Sequence, residues 1–328
     1  MPPKKSRILK FLISIVLIGL FTILLINRQL IIDQINIWQF KPSNEINYIS
    51  DSISLTPRGK FVFYSGTPSI ESTQKFNEVC GDTEKSTAIL GCYSRQRIYI
   101  YDINDKRLDG IKQVTAAHEM LHAAYDRLSA IEKNKINILL NSEYEKLKND
   151  KRFSSRMALY AKTEPGQRDN ELHSIIATES LDINSELETY YSLYFKDRHK
   201  IVDLYKNYST VFIELENRAE QLSLELAQLR SDIDKKTEDY DLEIESLNKD
   251  ITEFNHGVSN GRYQSLGSYE YERSLLVNRS AIIESMRLVL LADIAKYEGK
   301  RKELESISLQ SDSLMRSIDS NLAPAPSL

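Results

Sequence analysis

The chain has 328 residues, of which 27% are charged, and its formal net charge is −4 at pH 7. A chain of this length allows about two domains. Its mild acidity, and the lack of a basic patch interleaved with aromatic residues, argue against nucleic acid as a partner. The composition is typical of a soluble protein that carries one strongly apolar segment.

That apolar segment comes first, at residues 8–26, where Lys10 is the only charged residue. A stretch of this length can cross a bilayer as a helix. Because basic residues precede it, the positive-inside rule predicts a cytoplasmic tail over residues 1–7 and a transmembrane anchor over residues 8–28. A cleaved signal peptide is the alternative, but no small-residue cleavage site follows the stretch. We therefore expect a single-pass protein of the cell membrane whose remaining domains lie outside the cytoplasm.

Residues 29–54 are interpreted as a juxtamembrane connector. Leu30, Ile31, Ile35 and Trp38 form an apolar stripe on a short predicted helix. This stripe could lie on the membrane surface or pack on the domain that follows, and the pattern does not distinguish the two.

A compact domain is expected over residues 55–198. A turn at 66–69 is predicted to start a helix that ends near Val79. Cys80 and Cys92 are the only cysteines, and in an exported domain such a close pair indicates a disulfide, with two buried thiols as the alternative. Three strands are predicted, at Phe61–Tyr64, Ala88–Leu90 and Arg97–Tyr101.

The most informative motif is His118-Glu119-Met120-Leu121-His122, on a helix predicted from Ile111 to about Leu128. Residues four apart lie on the same face of a helix, so both imidazoles can bind one Zn²⁺ ion. Glu119 lies one step round the helix, where its carboxylate can act as a base towards a metal-bound water. This spacing predicts a catalytic zinc site with Glu119 as the catalytic residue.

A zinc site of this kind needs a third protein ligand. A later helix, predicted to start at Asp169 or Asn170, contains the candidates Glu171, His173 and Glu179. Glu171 and Glu179 share a face but lie about 12 Å apart along the axis, so both cannot easily reach one ion. His173 points in another direction. The spacing alone leaves the three candidates open.

The H-E-x-x-H motif at 118–122 and the later Asn170-Glu171 start resemble the gluzincins, the clan of thermolysin-like zinc metallopeptidases. The resemblance covers roughly residues 85–185. It implies an α+β fold, a short sheet plus helices, with His118, His122 and Glu171 as the metal ligands. It also implies that Arg97–Tyr101 is the edge strand that holds a peptide substrate as an added β-strand.

The chain departs from this family at Ile175, where many gluzincins place an acid four residues after the ligand. Glu179 could supply the role of that acid, or could itself be the ligand. The departure leaves the assignment of Glu171 dependent on the resemblance.

Residues 199–320 are predicted to form an antiparallel helical-hairpin coiled coil, followed by a disordered tail at 321–328. Glycines at 257, 261 and 267 interrupt two long charged helices that contain apolar residues at heptad-like spacings. Two separate helices packed on the preceding domain, or a parallel homodimer, would give the same pattern. The apolar positions include Leu222, Leu226, Leu229, Ile233, Leu276, Ile283, Met286 and Leu290.

The sequence therefore predicts a membrane-anchored, extracytoplasmic zinc metallopeptidase that hydrolyses peptide bonds. Its expected partners are a peptide or protein substrate, the membrane, and a protein bound through the coiled coil. The alternative is a cell-surface scaffold or adhesion protein in which the zinc domain is structural or inactive. A structural zinc site is normally closed by four protein ligands, whereas a catalytic site keeps one position open.

Overall fold

The computed structural model describes residues 4–81, 90–163 and 165–320. Of these residues, 79% are helical, and the strands form one three-stranded sheet. The expected α+β fold with an N-terminal transmembrane helix is therefore wrong. One reason is that the predicted strand at Phe61–Tyr64 folds as part of a helix. Another is that the strands that do form span five residues at most.

In the described ranges, no single helix meets the length and hydropathy criteria for crossing a membrane. The segments Phe11–Leu25 and Arg28–Gln39 meet them only as a pair, bent by 66°.

The helices follow one another along the described ranges, interrupted by three short strands and one 3₁₀ turn at Lys106–Leu108. They are α1 (Lys4–Ile26), α2 (Arg28–Gln39), α3 (Asn44–Ser52), α4 (Pro57–Ser65), α5 (Thr73–Cys80), α6 (Ile111–Asp126), α7 (Ala130–Leu147), α8 (Lys151–Thr163), α9 (Arg168–Glu179), α10 (Ser185–Tyr191), α11 (His199–Ser259) and α12 (Leu266–Ile318).

The sheet contains β1 (Ser69–Glu71), β2 (Gly91–Ser94) and β3 (Arg97–Tyr101) in the order β1-β3-β2. β1 runs parallel to β3 and β2 runs antiparallel to it. β3 is therefore the central strand, and four of its five residues are buried. The prediction that β3 is the substrate-binding edge strand is wrong, because its hydrogen-bonding groups are already paired on both sides. Among the described strands, β2 lies at an edge next to α6.

The predicted strand at Phe61–Tyr64 is part of α4. Thr56 caps this helix by accepting a hydrogen bond from the Gly59 amide, and Pro57 occupies its first turn. Both features start a helix, and they override the β-preference of the aromatic residues. Of the predicted strand at Ala88–Leu90, residues 88 and 89 lie outside the described ranges. The tail at 321–328 also lies outside them.

The predicted disulfide between Cys80 and Cys92 is confirmed. It joins the end of α5 to β2. Phe76 of α5 packs on Tyr101 of β3, with ring centroids 5.5 Å apart. The bridge therefore fixes α5 to the edge strand that lies beside α6.

α6 is deeply buried, since 13 of its 16 residues are shielded from solvent. It contacts α9, α4, α3 and two strands, and Ala116, Ala117, Ala123 and Ala124 are each at most 1% exposed. These small side chains let neighbouring elements approach closely. Gly110 precedes the helix at a φ of +96°, and a Cβ atom there would lie 3.1 Å from Leu204. The start of α6 therefore lies at a position that only glycine suits.

The connector between α1 and α3 packs on this region through polar groups. Asp33 of α2 is 2% exposed and accepts two hydrogen bonds from Arg127, which follows α6, at 2.6 and 2.9 Å. The apolar stripe predicted on this helix remains exposed, with Trp38 at 89%. An ion pair, and not the apolar stripe, therefore attaches α2 to the end of α6.

Residues Phe212–Ser313 form a compact unit of their own. In it, parts of α11 and α12 correspond to the two arms of the predicted hairpin. Ion pairs join Arg218 to Glu303 and Lys236 to Asp293. Residue numbers rise along one helix as they fall along the other, so the two helices are antiparallel. The opposite charges flank the apolar seam, as in coiled coils.

Candidate metal centre

Three side chains from two helices converge on one point. Glu171 Oε2 lies 3.5 Å from His118 Nε2, and Glu171 Oε1 lies 3.3 Å from His122 Nε2. The potential ligand atoms all lie within 4.8 Å of one another. His118 and His122 project from one face of α6, and Glu171 comes from the first turn of α9, which packs against it. The predicted ligand set is therefore brought together by helix packing.

The chemistry of this cluster fits a metal ion. Glu171 is 2% exposed, and among the described residues its Oε2 atom has no hydrogen-bond partner. A buried carboxylate with an unsatisfied oxygen is costly unless a cation or proton compensates it. Two imidazole nitrogens and one carboxylate oxygen are ordinary metal ligands. His118, His122 and Glu171 could hold a metal ion.

His122 is held in the orientation and protonation state that metal binding requires. Its Nδ1 atom lies 3.0 Å from Asn170 Oδ1 and 3.4 Å from Ser174 Oγ. Because the amide oxygen only accepts, Nδ1 carries the proton, and Nε2 presents its lone pair to the cluster. Burial lowers the pKa of His122 and so favours the neutral ring. Asn170 directly precedes Glu171, but the spacing of the motif does not indicate this role for it.

The other two candidates for the third ligand are occupied elsewhere. Glu179 forms an ion pair with Arg156 of α8. His173 is fully buried, and its Nε2 atom lies 2.9 Å from Tyr190 Oη. Burial lowers the pKa of His173 to about 3, so this ring is neutral. Neither residue belongs to the cluster, and the suggested role for Glu179 beside the metal is not supported.

Glu119 lies on α6 between the two histidines in sequence and is 3% exposed. Its carboxylate lies beside the first residue of β2: a Cβ atom at Gly91 would be 2.9 Å from Glu119 Oε1 and 2.5 Å from Thr115 Cγ2. Glycine at this position therefore lets the strand run directly against the carboxylate. This placement puts Glu119 between α6 and the edge of the sheet.

A cavity of about 430 Å³ opens at the first turn of α6, where Glu45, Lys112 and Gln113 contribute to its wall. None of the three cluster residues lines it. This cavity is separate from the metal centre.

No protein-family model matches the chain, and no curated protein or solved structure is significantly similar to it. The resemblance to gluzincins therefore rests on the motif and the cluster alone.

Proposed function

We propose that this chain is a zinc-dependent peptidase, with His118, His122 and Glu171 as the metal ligands and Glu119 as the general base. The observation that carries this proposal is the convergence of the three ligands from two helices, with Glu119 beside them on α6. Chance placement of H-E-x-x-H on a helix would not bring a buried glutamate from α9 to both histidines.

Zinc is proposed because two histidines and one glutamate are a known ligand set of catalytic zinc sites. When bound, zinc supplies a Lewis acid that polarises a carbonyl group and lowers the pKa of water. The His118 side chain is 14% exposed, so the cluster is not fully closed to solvent. An accessible site with three protein ligands suits catalysis better than a purely structural role.

Glu119 is proposed to take a proton from the attacking water with its carboxylate and to pass it to the leaving amine nitrogen. This role requires a carboxylate that is close to the metal ligands but is not one of them. Glu119 directly follows His118 on α6 and is absent from the ligand cluster, which supports this role. A positioned general base typically contributes about 10²–10⁴-fold to the rate.

The peptide substrate is proposed to lie along β2. Tyr101 N donates a hydrogen bond to Leu90 O, and pairing alternates along an antiparallel ladder. The backbone groups of Gly91 and Tyr93 therefore face away from β3. An extended peptide paired with these groups would run past the Glu119 carboxylate, which lies against Gly91. Hence β2, and not β3, is the strand we assign to substrate binding.

We also propose that this part of the chain acts outside the cytoplasm. The support is the disulfide between Cys80 and Cys92, because structural disulfides form and persist in oxidising compartments.

The alternative is a scaffold in which the metal domain is structural. Among the described residues, the cluster offers three potential ligands and not four. Because a structural zinc site is usually closed by four, this observation favours the peptidase.

The test is hydrolysis of a mixed library of unstructured peptides by the purified full-length chain, before and after Glu119→Gln. The parent should cleave peptides, and the variant should be at least about 100-fold slower. The variant should retain its metal, because Glu119 is not a ligand.

The matched control is Glu145→Gln on α7, whose side chain is 62% exposed. This variant should cleave at the parent rate. The proposal fails if the metal-loaded parent cleaves no peptide, or if Glu119→Gln cleaves as fast as the parent.

A further inference from the structure

Helix α2 turns its apolar side away from the rest of the protein. Four large apolar residues between 37% and 89% exposed lie within about 140° of the helix circumference. We call this set the outward face of α2, and its members are Leu30, Ile31, Ile35 and Trp38. An amphipathic helix of a globular protein normally buries its apolar side. The inverted arrangement indicates that the outward face binds something other than the domain itself.

Polar contacts hold the opposite side of α2 on the domain. Asp33 is 2% exposed and pairs with Arg127 at 2.6 Å. Asn36 Nδ2 donates a hydrogen bond to Ser65 O at 3.0 Å. Asp33 and Asn36 lie on the side of the helix that is opposite to Trp38. These contacts therefore fix the direction in which the outward face points.

The outward face continues the apolar surface of α1. A single residue, Asn27, separates the two helices. Twelve large apolar residues within Phe11–Leu25 are each between 49% and 67% exposed, and they occur on every side of α1. A protein neighbour covers one side of a helix, whereas lipid can cover all of it. The occupant that suits both helices is therefore lipid.

The exposed charges beside the outward face are positive. Asp33 is the only acidic residue within residues 27–43, and it is buried. Arg28 begins α2 and Lys41 follows its end, and both are exposed. Basic residues of this kind attract anionic lipids, and tryptophan is enriched where a membrane meets water. Trp38 lies one turn before Lys41, so the two side chains suit the same lipid boundary.

We propose that the outward face of α2 binds an anionic lipid surface, with the helix lying along that surface. The proposal does not depend on the peptidase function, and neither depends on the other.

Lipid binding by α2 would also orient the metal-binding region. Arg127, which pairs with Asp33, donates hydrogen bonds to Ala123 O at 2.6 Å and to Tyr93 Oη at 3.2 Å. Ala123 belongs to α6 and Tyr93 to β2. The lipid surface would therefore lie beside the end of α6 and beside the strand that we assign to substrate binding.

The test uses the fluorescence of Trp38, because it is the only tryptophan in the chain. The full-length chain is placed in vesicles of equal parts phosphatidylcholine and phosphatidylglycerol. Acrylamide quenches the emission from the water, and bromine atoms on the upper acyl chains quench it from the lipid. Because an apolar helix face enters the boundary of headgroups and acyl chains, Trp38 should lose at least about half of its emission in brominated vesicles.

The matched control carries Trp38→Phe together with Tyr48→Trp. Tyr48 is 64% exposed and lines the cavity at the first turn of α6. The attachment of α2 is at the other end of this 16-residue helix, about 24 Å away. The introduced tryptophan should lose less than about a tenth of its emission to brominated lipid, and acrylamide should quench it at least about three-fold more strongly than Trp38.

A second pair of variants tests the outward face itself. Ile35→Glu should reduce the quenching of Trp38 by brominated lipid to the level of the control, because an apolar lipid environment disfavours a charged side chain. Ile35→Leu keeps the face apolar and should behave as the parent does. Ile35 is 45% exposed, so neither change affects the core of the domain.

Several results would overturn the proposal. If acrylamide quenched Trp38 as readily as the control, the outward face would lie in water. If neither quencher reached Trp38, protein and not lipid would cover it. Equal quenching of Trp38 and the control by brominated lipid, or of Ile35→Glu and the parent, would show that the outward face does not determine lipid binding.

Discussion

The contact between Asn170 and His122 gives the sharpest test of how the metal centre is organised. Asn170→Ala removes the oxygen that lies 3.0 Å from His122 Nδ1. The imidazole is then less firmly fixed in the tautomer and orientation that present Nε2 to the metal. Ser174 Oγ, at 3.4 Å, is too distant to replace this acceptor fully.

The expected loss of metal affinity follows from the hydrogen bond between Asn170 and His122. Removing the partner of a metal-ligating histidine typically costs about 10–100-fold in metal affinity. That range corresponds to roughly 1.4–2.7 kcal/mol. Because Ser174 remains nearby, we expect Asn170→Ala to lie near the lower end, at about ten-fold. Asn170→Asp keeps an acceptor at this position and should bind the metal at least as tightly as the parent.

The assay is zinc competition against a chromogenic chelator, together with urea unfolding of the metal-free chains. Asn134→Ala, an exposed asparagine on α7, is the matched control and should leave the affinity unchanged. If Asn170→Ala bound zinc as tightly as the parent, the contact with His122 would have no role in the site. A loss of affinity matched by unfolding of the metal-free chain would instead show a general effect on the fold.

Three further predictions concern the rest of the fold. Asp33→Ala leaves the partly buried Arg127 without its carboxylate, and urea unfolding should show a free energy of unfolding lower by about 3 kcal/mol. A decrease of less than about 1 kcal/mol would contradict the importance of this ion pair. Burial lowers the pKa of His173 to about 3, so its stabilisation is present above pH 6.5 and is lost as pH falls towards 3. Between pH 7.5 and 5, the metal-free parent should therefore lose about 2 kcal/mol more than His173→Gln, and equal losses would refute this. Mass spectrometry without reduction should find the Cys80 and Cys92 peptides linked, and alkylation of both thiols would refute the bridge.

The sequence identifies the half of the metal centre that one helix determines. His118 and His122 are four residues apart, and their common face follows from helix geometry alone. Glu171 lies about fifty positions later, and only the packing of α9 on α6 brings it to the histidines. A resemblance was therefore needed to choose Glu171 over Glu179, whose carboxylate instead pairs with Arg156.

The errors in the fold arise from tertiary context and from capping. The β-preference of Phe61–Tyr64 suggested a strand, yet the preceding Thr56 and Pro57 start a helix that the sequence could have indicated. The central position of β3 could not be read from its own residues. It depends on β1 and β2 pairing on both sides, and β1 was not predicted as a strand. The assignment of the edge strand failed for that reason.

We propose that His118, His122 and Glu171 together bind one zinc ion. Equilibrium dialysis against zinc, with metal counted by mass spectrometry, tests it most directly in the parent, Glu119→Gln and Glu171→Gln chains. We predict one tightly bound zinc per chain for the parent and for Glu119→Gln. Glu171→Gln should bind at least about ten-fold more weakly, because a neutral amide is a poorer ligand than a carboxylate. A parent chain that binds no zinc, or a Glu171→Gln chain that binds it as tightly as the parent, would contradict the claim.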